Sequence, residues 1–413
     1  MPGNKSFALV IPTYWGRKSG EPFNSQDAVY DHPTPLDTEG TLARALESIR
    51  LLRYPDFRVV VLGAATHPDL EAEVEEKLEA TVAPFRESYP LALFGHRQER
   101  ELRGILERGP RGELAGMISL RGYSNIRNLC LAVACLCGAD AAVLFDDDEV
   151  YEDPHYLDKV AENIGEVRGG SFVGGLAGYY VNRDGGYRLP PNAEPAFAEW
   201  PAVEYMNRAF EIIDGPERLA ATSWVFGGNM VVHRELYMRV AFDPHVPRGE
   251  DIDYLINAAF FGYRFFLDNT LWIRHLPPPK TAPLWRRFRE DLDRFLYTRE
   301  KLRSQEPEAG CRRVEVEDLE PYPGRFLRED LEELIYRTCV LMAMEYLSKN
   351  DLEGYRESMA NLVRSKDLSR FPASPFRWYL GWRGRWEELM GFLASDRESR
   401  EFMEGLFRAG GRG

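Results

Sequence analysis

Residues 7–11, Phe-Ala-Leu-Val-Ile, are apolar without a break and run into Pro12. That pattern predicts a strand buried on both faces and stopped by the proline. A polar, aromatic-rich loop follows over 15–38. Positions 42–52 then have helical spacing, 57–62 (Phe-Arg-Val-Val-Val-Leu) predict a second strand, and 70–82 a charged amphipathic helix. Residues 91–94 predict a third strand, 125–137 a helix and 141–145 a fourth strand. Strands alternating with helices predict a parallel sheet covered on both faces.

The stretch 169–224 is rich in Gly, Tyr and Pro and predicts short strands and loops. Beyond it, 230–232 predict a strand, 251–261 a helix and 265–273 an extended segment, and Pro277, Pro278 and Pro279 punctuate the chain. After Thr281 the character changes. Residues 284–302, 327–348 and 352–363 have helical periodicity with dense charge, and Trp378, Trp382 and Trp386 fall four apart on one helical stripe. These observations place a domain boundary near 280, dividing an α/β unit (1–280) from a helical region (281–413).

The net charge is −14, from 52 basic and 66 acidic side chains. An acidic surface argues against broad nucleic-acid binding, which requires a basic patch for phosphates. Five cysteines, an odd number, include Cys135 and Cys137 at a spacing wrong for a zinc knuckle. They predict reduced, mostly buried thiols. The polar start at Met1 to Lys5 and the short apolar run after it give no secretory h-region. The longest apolar stretch, 129–145, is interrupted by Gly138 and Asp140 and predicts a buried helix followed by a strand, with no membrane span. A cytoplasmic protein is the expectation.

Phe145-Asp146-Asp147-Asp148-Glu149 is the sharpest chemical feature. Consecutive carboxylates directly after a buried strand lie where open α/β sheets bind ligands. Their mutual repulsion is relieved by a hard cation, whose other positions diphosphate oxygens can fill. In an extended strand end, Asp146 and Asp148 point to the same side. A solvated acidic turn capping a following helix is the competing reading. Arg248-Gly249-Glu250-Asp251-Ile252-Asp253 puts acids at a predicted helix start, where capping alone also favours them. His275 follows a strand-like segment and precedes the prolines.

The order of these pieces resembles the family 2-like GT-A glycosyltransferases over roughly residues 7–277. The series runs through Val10-Ile11-Pro12-Thr13-Tyr14, Tyr123-Ser124-Asn125-Ile126-Arg127-Asn128 and the 144–149 acidic segment with Pro154, Tyr156 and Leu157. It continues through Gly227-Gly228-Asn229-Met230-Val231-Val232, Phe242-Asp243, Gly249-Glu250-Asp251-Ile252-Asp253 and Gly262-Tyr263-Arg264, and ends at His275.

The resemblance implies a Rossmann-like α/β GT-A fold with a mostly parallel sheet, plus the C-terminal helical region. It implies a UDP- or GDP-sugar donor, a small-molecule or glycan acceptor, and a divalent ion, Mg2+ or Mn2+. Pro12, Thr13 and Tyr14 would border base and ribose. Arg127 would lie near the diphosphate. Asp146 and Asp148, with His275, would hold the ion, and Asp147 would face the ribose or sugar. Asp251 would be the general base beside Glu250, giving inversion. Gly228 and Asn229 would shape the sugar and acceptor pocket.

Trp15 stands where the family usually has Asn, and Leu62-Gly63-Ala64-Ala65 lacks the acid often found after the second strand. Residues 16–36 are long for this place and suit a lid or an acceptor-binding insertion. Core or interhelix packing is the simple reading of the Trp378 stripe. Arg286, Arg287 and Arg289 beside Trp285 suit an anionic acceptor or a membrane surface, and a homo-oligomer interface is equally open. Two rival classes stay in view. A sugar-1-phosphate nucleotidyltransferase would want a Gly-rich basic loop after the first strand, of which Gly16-Arg17-Lys18 is a faint echo. A non-catalytic nucleotide- or carbohydrate-binding protein would suit the aromatic content of 12%.

Overall fold

The computed structural model describes residues 5–22, 26–28, 30, 32–192, 194–278 and 282–410. In chain order the first half comprises β1 (Phe7–Gly16), β2 (Thr34–Pro35), α1 (Leu42–Ile49), β3 (Phe57–Ala65), α2 (Glu71–Val82), β4 (Leu91–Phe94), α3 (His96–Arg108), α4 (Tyr123–Leu136), β5 (Ala141–Leu144), β6 (Glu149–Val150) and α5 (Tyr156–Asn163). Then come β7 (Val167–Arg168), β8 (Ser171–Val181), α6 (Ala202–Ala209), β9 (Leu219–Thr222), β10 (Met230–His233), α7 (Arg234–Tyr237), α8 (Glu250–Phe260) and β11 (Arg264–His275). Five helices follow: α9 (Leu284–Arg303), α10 (Leu331–Ser348), α11 (Leu352–Lys366), α12 (Pro375–Ser395) and α13 (Arg397–Gly410).

The strands form one sheet in the order β4-β3-β1-β5-β10-β8-β11-β6. The first four are parallel, as the βα alternation predicts, and β10 then runs antiparallel between β5 and β8. Strand alternation splits β1 between two cores. Ala8 and Val10 face α4 and the C-terminal helices, whereas Phe7, Leu9 and Ile11 face α1 and α2. All five are at most 1% exposed.

Two expectations are corrected. Pro12 does not end β1, which pairs with β3 as far as Trp15, opposite Ala65. Its pairing with β5 stops at Val10, opposite Leu144. Pro12 therefore sits where one side of the strand is already open, and its missing N–H breaks no ladder. Residues 169–224 hold more regular structure than predicted, including the 11-residue β8 and the helix α6. The glycines of β8 belong to close packing: a Cβ at Gly178 would lie 2.3 Å from Leu271 O and from Asn229.

The C-terminal helices close the core face on the α4 side. Trp386, fully buried, donates Nε1–H to Tyr237 O at 2.8 Å, and Tyr379 donates its hydroxyl to Ala241 O at 2.9 Å. Trp378 and Trp382 stack at 10° between planes. Pro279 and Thr281, at the predicted domain boundary, lie outside the described residues. Among the described residues no helix is long and apolar enough to cross a membrane. Cys130, Cys135 and Cys339 are buried free thiols, and Cys137 and Cys311 are half-buried ones.

Candidate active site

The carboxyl ends of β1 and β5 open into a cavity of about 460 Å³. It gathers Pro12, Tyr14, Arg127, Asp146, Asp147, Asp148, Glu250, Asp251 and His275, which lie far apart in sequence. Thr13, Gly228 and Asn229 lie behind this surface. Thr13 is fully buried and donates its hydroxyl to Asp147 Oδ2 at 2.5 Å. Asn229, 1% exposed, donates to Tyr179 O at 3.0 Å and accepts at 2.5 Å from the Tyr156 hydroxyl.

The acidic segment is a turn, not an extended strand end. The strand β5 closes at Leu144, and Glu149 N–H donates back to Asp146 O at 3.3 Å. Alternation therefore does not set the side chains' directions. Asp146 points to Arg127, Asp147 to Thr13 and Asp148 to His275, whose Nε2 is 3.4 Å from Asp148 Oδ2. The element that follows is β6 rather than a helix, so these acids cap nothing.

Burial sets the electrostatics of this turn. It pushes the Asp147 carboxyl up to about 7, with Asp148 adding to the rise and the Thr13 hydrogen bond opposing it. Burial also raises Asp146, against the pull of Arg127, and raises Glu149 well above the carboxylate range. Glu149 is 0% exposed and lies against Gly228, where a Cβ would stand 2.1 Å from Glu149 Oε1. A side chain at 228 would displace that carboxylate.

Arg127, 5% exposed on α4, joins the two walls. Nη2 lies 2.9 Å from Asp146 Oδ1, and Nε donates to Glu250 Oε1 at 3.2 Å. Its buried Nη1 has no hydrogen-bond partner among the described residues. The Tyr14 hydroxyl is likewise buried without one, in a ring cluster with Tyr30 and Tyr123.

The opposite wall is the start of α8. Gly249 caps it at φ +68°, a left-handed conformation that favours glycine. Asp251 accepts from Gly227 N–H at 2.9 Å and Ile252 N–H at 2.8 Å. Burial, then the neighbouring Glu250, pushes its carboxyl up to about 6.

Several pocket residues carry no sequence signal. Tyr180 stacks between His275, 4.6 Å between centroids, and Phe226, 4.2 Å. Arg294 comes from α9, packs where a Gly249 Cβ would stand, and donates to the Tyr322 hydroxyl at 2.9 Å. Five residues separate it from Arg289, about one and a half helical turns, and Arg289 is tied instead to Glu357 and Asn361 of α11, outside the pocket. Lys301, further along α9, is 0% exposed and sits 2.7 Å from both Asp243 and Asp253, clamping α9 to α8. Among the described residues of the loop after β1, Arg17 pairs with Asp27 and Asp69 and Lys18 with Glu73. Part of the predicted 16–36 insertion lies outside the described residues.

Among the described residues no three His, Cys, Asp or Glu side chains converge as a preformed metal cage. The donors present fit an ion that takes few ligands from protein: Asp148 and His275 are adjacent, and Asp146 lines the same cavity.

No protein-family model matches this sequence, and no curated protein matches it. Solved structures similar to it include the mannosyltransferase PcManGT from Pyrobaculum calidifontis in complex with GDP-Man and Mn2+. The identity is 14% and the TM-score 0.46, over 95% of this chain and 88% of that one. Glucosyl-3-phosphoglycerate synthase from Mycobacterium tuberculosis, with Mn2+, UDP and phosphoglyceric acid, is 15% identical with a TM-score of 0.36, over 71% of this chain and 76% of that one. GalNAc-T7 with UDP, GalNAc and Mn2+ is 10% identical with a TM-score of 0.36, over 73% and 51%.

Proposed function

We propose that this chain is a metal-dependent glycosyltransferase that moves a sugar from a UDP- or GDP-sugar to an acceptor hydroxyl, with inversion. The observation that carries the reading is the facing of two unlike acidic walls across one cavity. One is a buried carboxylate turn with His275 at its end. The other is a helix start bearing Asp251.

On the first wall, Asp146, Asp148 and His275 would hold Mg2+ or Mn2+. When bound, the ion supplies charge stabilisation for the leaving nucleoside diphosphate. The free Nη1 of Arg127 is a donor for a diphosphate oxygen, and Pro12 and Tyr14 border the base and ribose. Asp147 is held by Thr13 on the donor side. Gly228 and Asn229 act from behind the pocket surface. On the second wall, Asp251 takes the proton of the acceptor hydroxyl. A carboxyl titrating near 6 is ionised at neutral pH yet basic enough to accept that proton. Glu250 holds Arg127 toward the first wall. Residues 1–280 form the catalytic unit, and the helical region 281–413 contributes Asp291, Arg294 and Tyr322 to the cavity.

The test is a thermal-shift screen with UDP, GDP and their sugars, each with Mn2+, Mg2+ or EDTA, followed by the anomeric configuration of any product. A midpoint shift that needs nucleotide and metal together supports the donor site. No shift with any nucleotide removes the reading, and a product that retains the donor's configuration removes the base role of Asp251.

A further inference from the structure

The cavity continues past Asp251 into a wall of different chemistry. The ring stack that begins at His275 and Tyr180 leads to Phe226, and Phe226 packs on Phe210 at 5.6 Å and Trp224 at 5.2 Å. Phe226 adjoins Gly227, whose N–H is bound by Asp251. The wall is completed by Leu189, Ala202 and Met206, half-buried and facing the same cavity.

The polar groups of Leu189, Asn207 and Trp224 are spent inside the protein. The Asn207 side chain accepts from Leu189 N–H at 2.8 Å and donates to Leu189 O at 2.9 Å, taking both backbone groups of that residue. This pair of hydrogen bonds ties the 189 segment to α6, whose Met206 lines the same cavity as Leu189. Trp224 Nε1–H is given to Ala209 O at 3.0 Å. A polyhydroxylated ring seated here would exchange water for hydrocarbon at several hydroxyls, at a cost of about 1–3 kcal/mol for each left unpaired. An alkyl or aryl group would lose nothing.

We infer that the acceptor-side subsite takes a hydroxyl-bearing molecule with an apolar body, alkyl or aryl, seated on Leu189, Ala202, Met206, Phe210, Trp224 and Phe226 with its hydroxyl toward Asp251. The placement of that hydroxyl rests on the transferase reading above. The apolar subsite itself does not.

The experiment uses the full chain and a neutral fluorescent probe, N-phenylnaphthylamine, displaced by hexyl glucoside below its micelle-forming concentration or by methyl glucoside. The probe's emission rises on binding. Hexyl glucoside displaces it at a concentration at least about tenfold lower than methyl glucoside does, because several buried methylenes separate the two. Met206→Glu weakens probe binding at least about tenfold, whereas Met206→Leu keeps it, and both variants melt cooperatively. Equal displacement by the two glucosides, or unchanged probe binding in Met206→Glu, overturns the inference. Nucleotide–metal thermal shifts are recorded on the same samples. Probe binding without any nucleotide shift keeps the apolar subsite and removes the transferase reading, and a nucleotide shift with failed probe discrimination does the reverse.

Discussion

The Arg127 guanidinium stands 2.9 Å from Asp146 Oδ1 and carries its charge across the floor of the cavity, with Glu250 on its other side and Nη1 without a partner among the described residues. A buried cation with one donor to spare is suited to an anionic ligand. Arg127→Gln should weaken binding of a nucleoside diphosphate by about 10–100-fold, from a charge-assisted bond of about 1.5–3 kcal/mol. Binding of the matching nucleoside should change little, and calorimetric titration of both ligands is the check.

Asp148 and His275 are the two donors already adjacent. Ligand binding to the folded state alone stabilises it by about 2.7 kcal/mol at a concentration of about 100 Kd. Asp148→Ala should abolish the metal-dependent part of that gain, as EDTA should in the wild type. A shift that survives the substitution would move the metal site elsewhere.

Asp251 gives two pH signatures. As a base it must be ionised, so kcat/KM should fall as pH drops through about 6, and Asp251→Asn should lose about 10²–10⁴-fold in kcat. Stability runs the other way. The folded carboxyl titrates above its ordinary value of 3.8, so its contribution is fully present below about pH 4 and lost as pH rises through about 6. Asp251→Asn should therefore be the more stable form above pH 6, by about 1–2 kcal/mol after the loss of one acceptor oxygen, and the gap should close toward pH 4. Paired urea titrations across this range measure it.

Gly228 and Glu149 share space that holds one side chain only. Gly228→Ala should destabilise by about 1–3 kcal/mol through overpacking against a fully buried carboxyl. Equilibrium denaturation is the check, with Gly227→Ala, whose Cβ would meet the far end of Arg127, as a comparison.

Lys301 lies between Asp243 and Asp253 with no exposure to solvent. Lys301→Met should cost about 3–5 kcal/mol, because two buried carboxylates lose their counter-charge. Removing one of the two carboxylates with Asp253→Asn in the same chain returns the cluster to its original net charge and should recover part of that loss.

The sequence alone determined the βα alternation, the strand that precedes the acids, the α8 start and the long C-terminal helices, because a buried strand or an amphipathic helix writes its period into its own residues. It also singled out Arg127, Asp146, Asp148, Asp251 and His275, since motif order survives without contacts. It misjudged what depends on neighbours. Pro12 reads as a stop until β5 is seen to end opposite Val10, and β8 reads as broken until its glycines are seen to admit Phe265, Asn229 and Leu271. The turn at 146–148 scatters three carboxylates onto three different partners, a result of tertiary polar contacts rather than of residue spacing. Only the packed chain brings Tyr180, Arg294 and Tyr322 to the cavity and spends the polar groups of Leu189 and Trp224 elsewhere, because each of those choices is made by a residue distant in sequence.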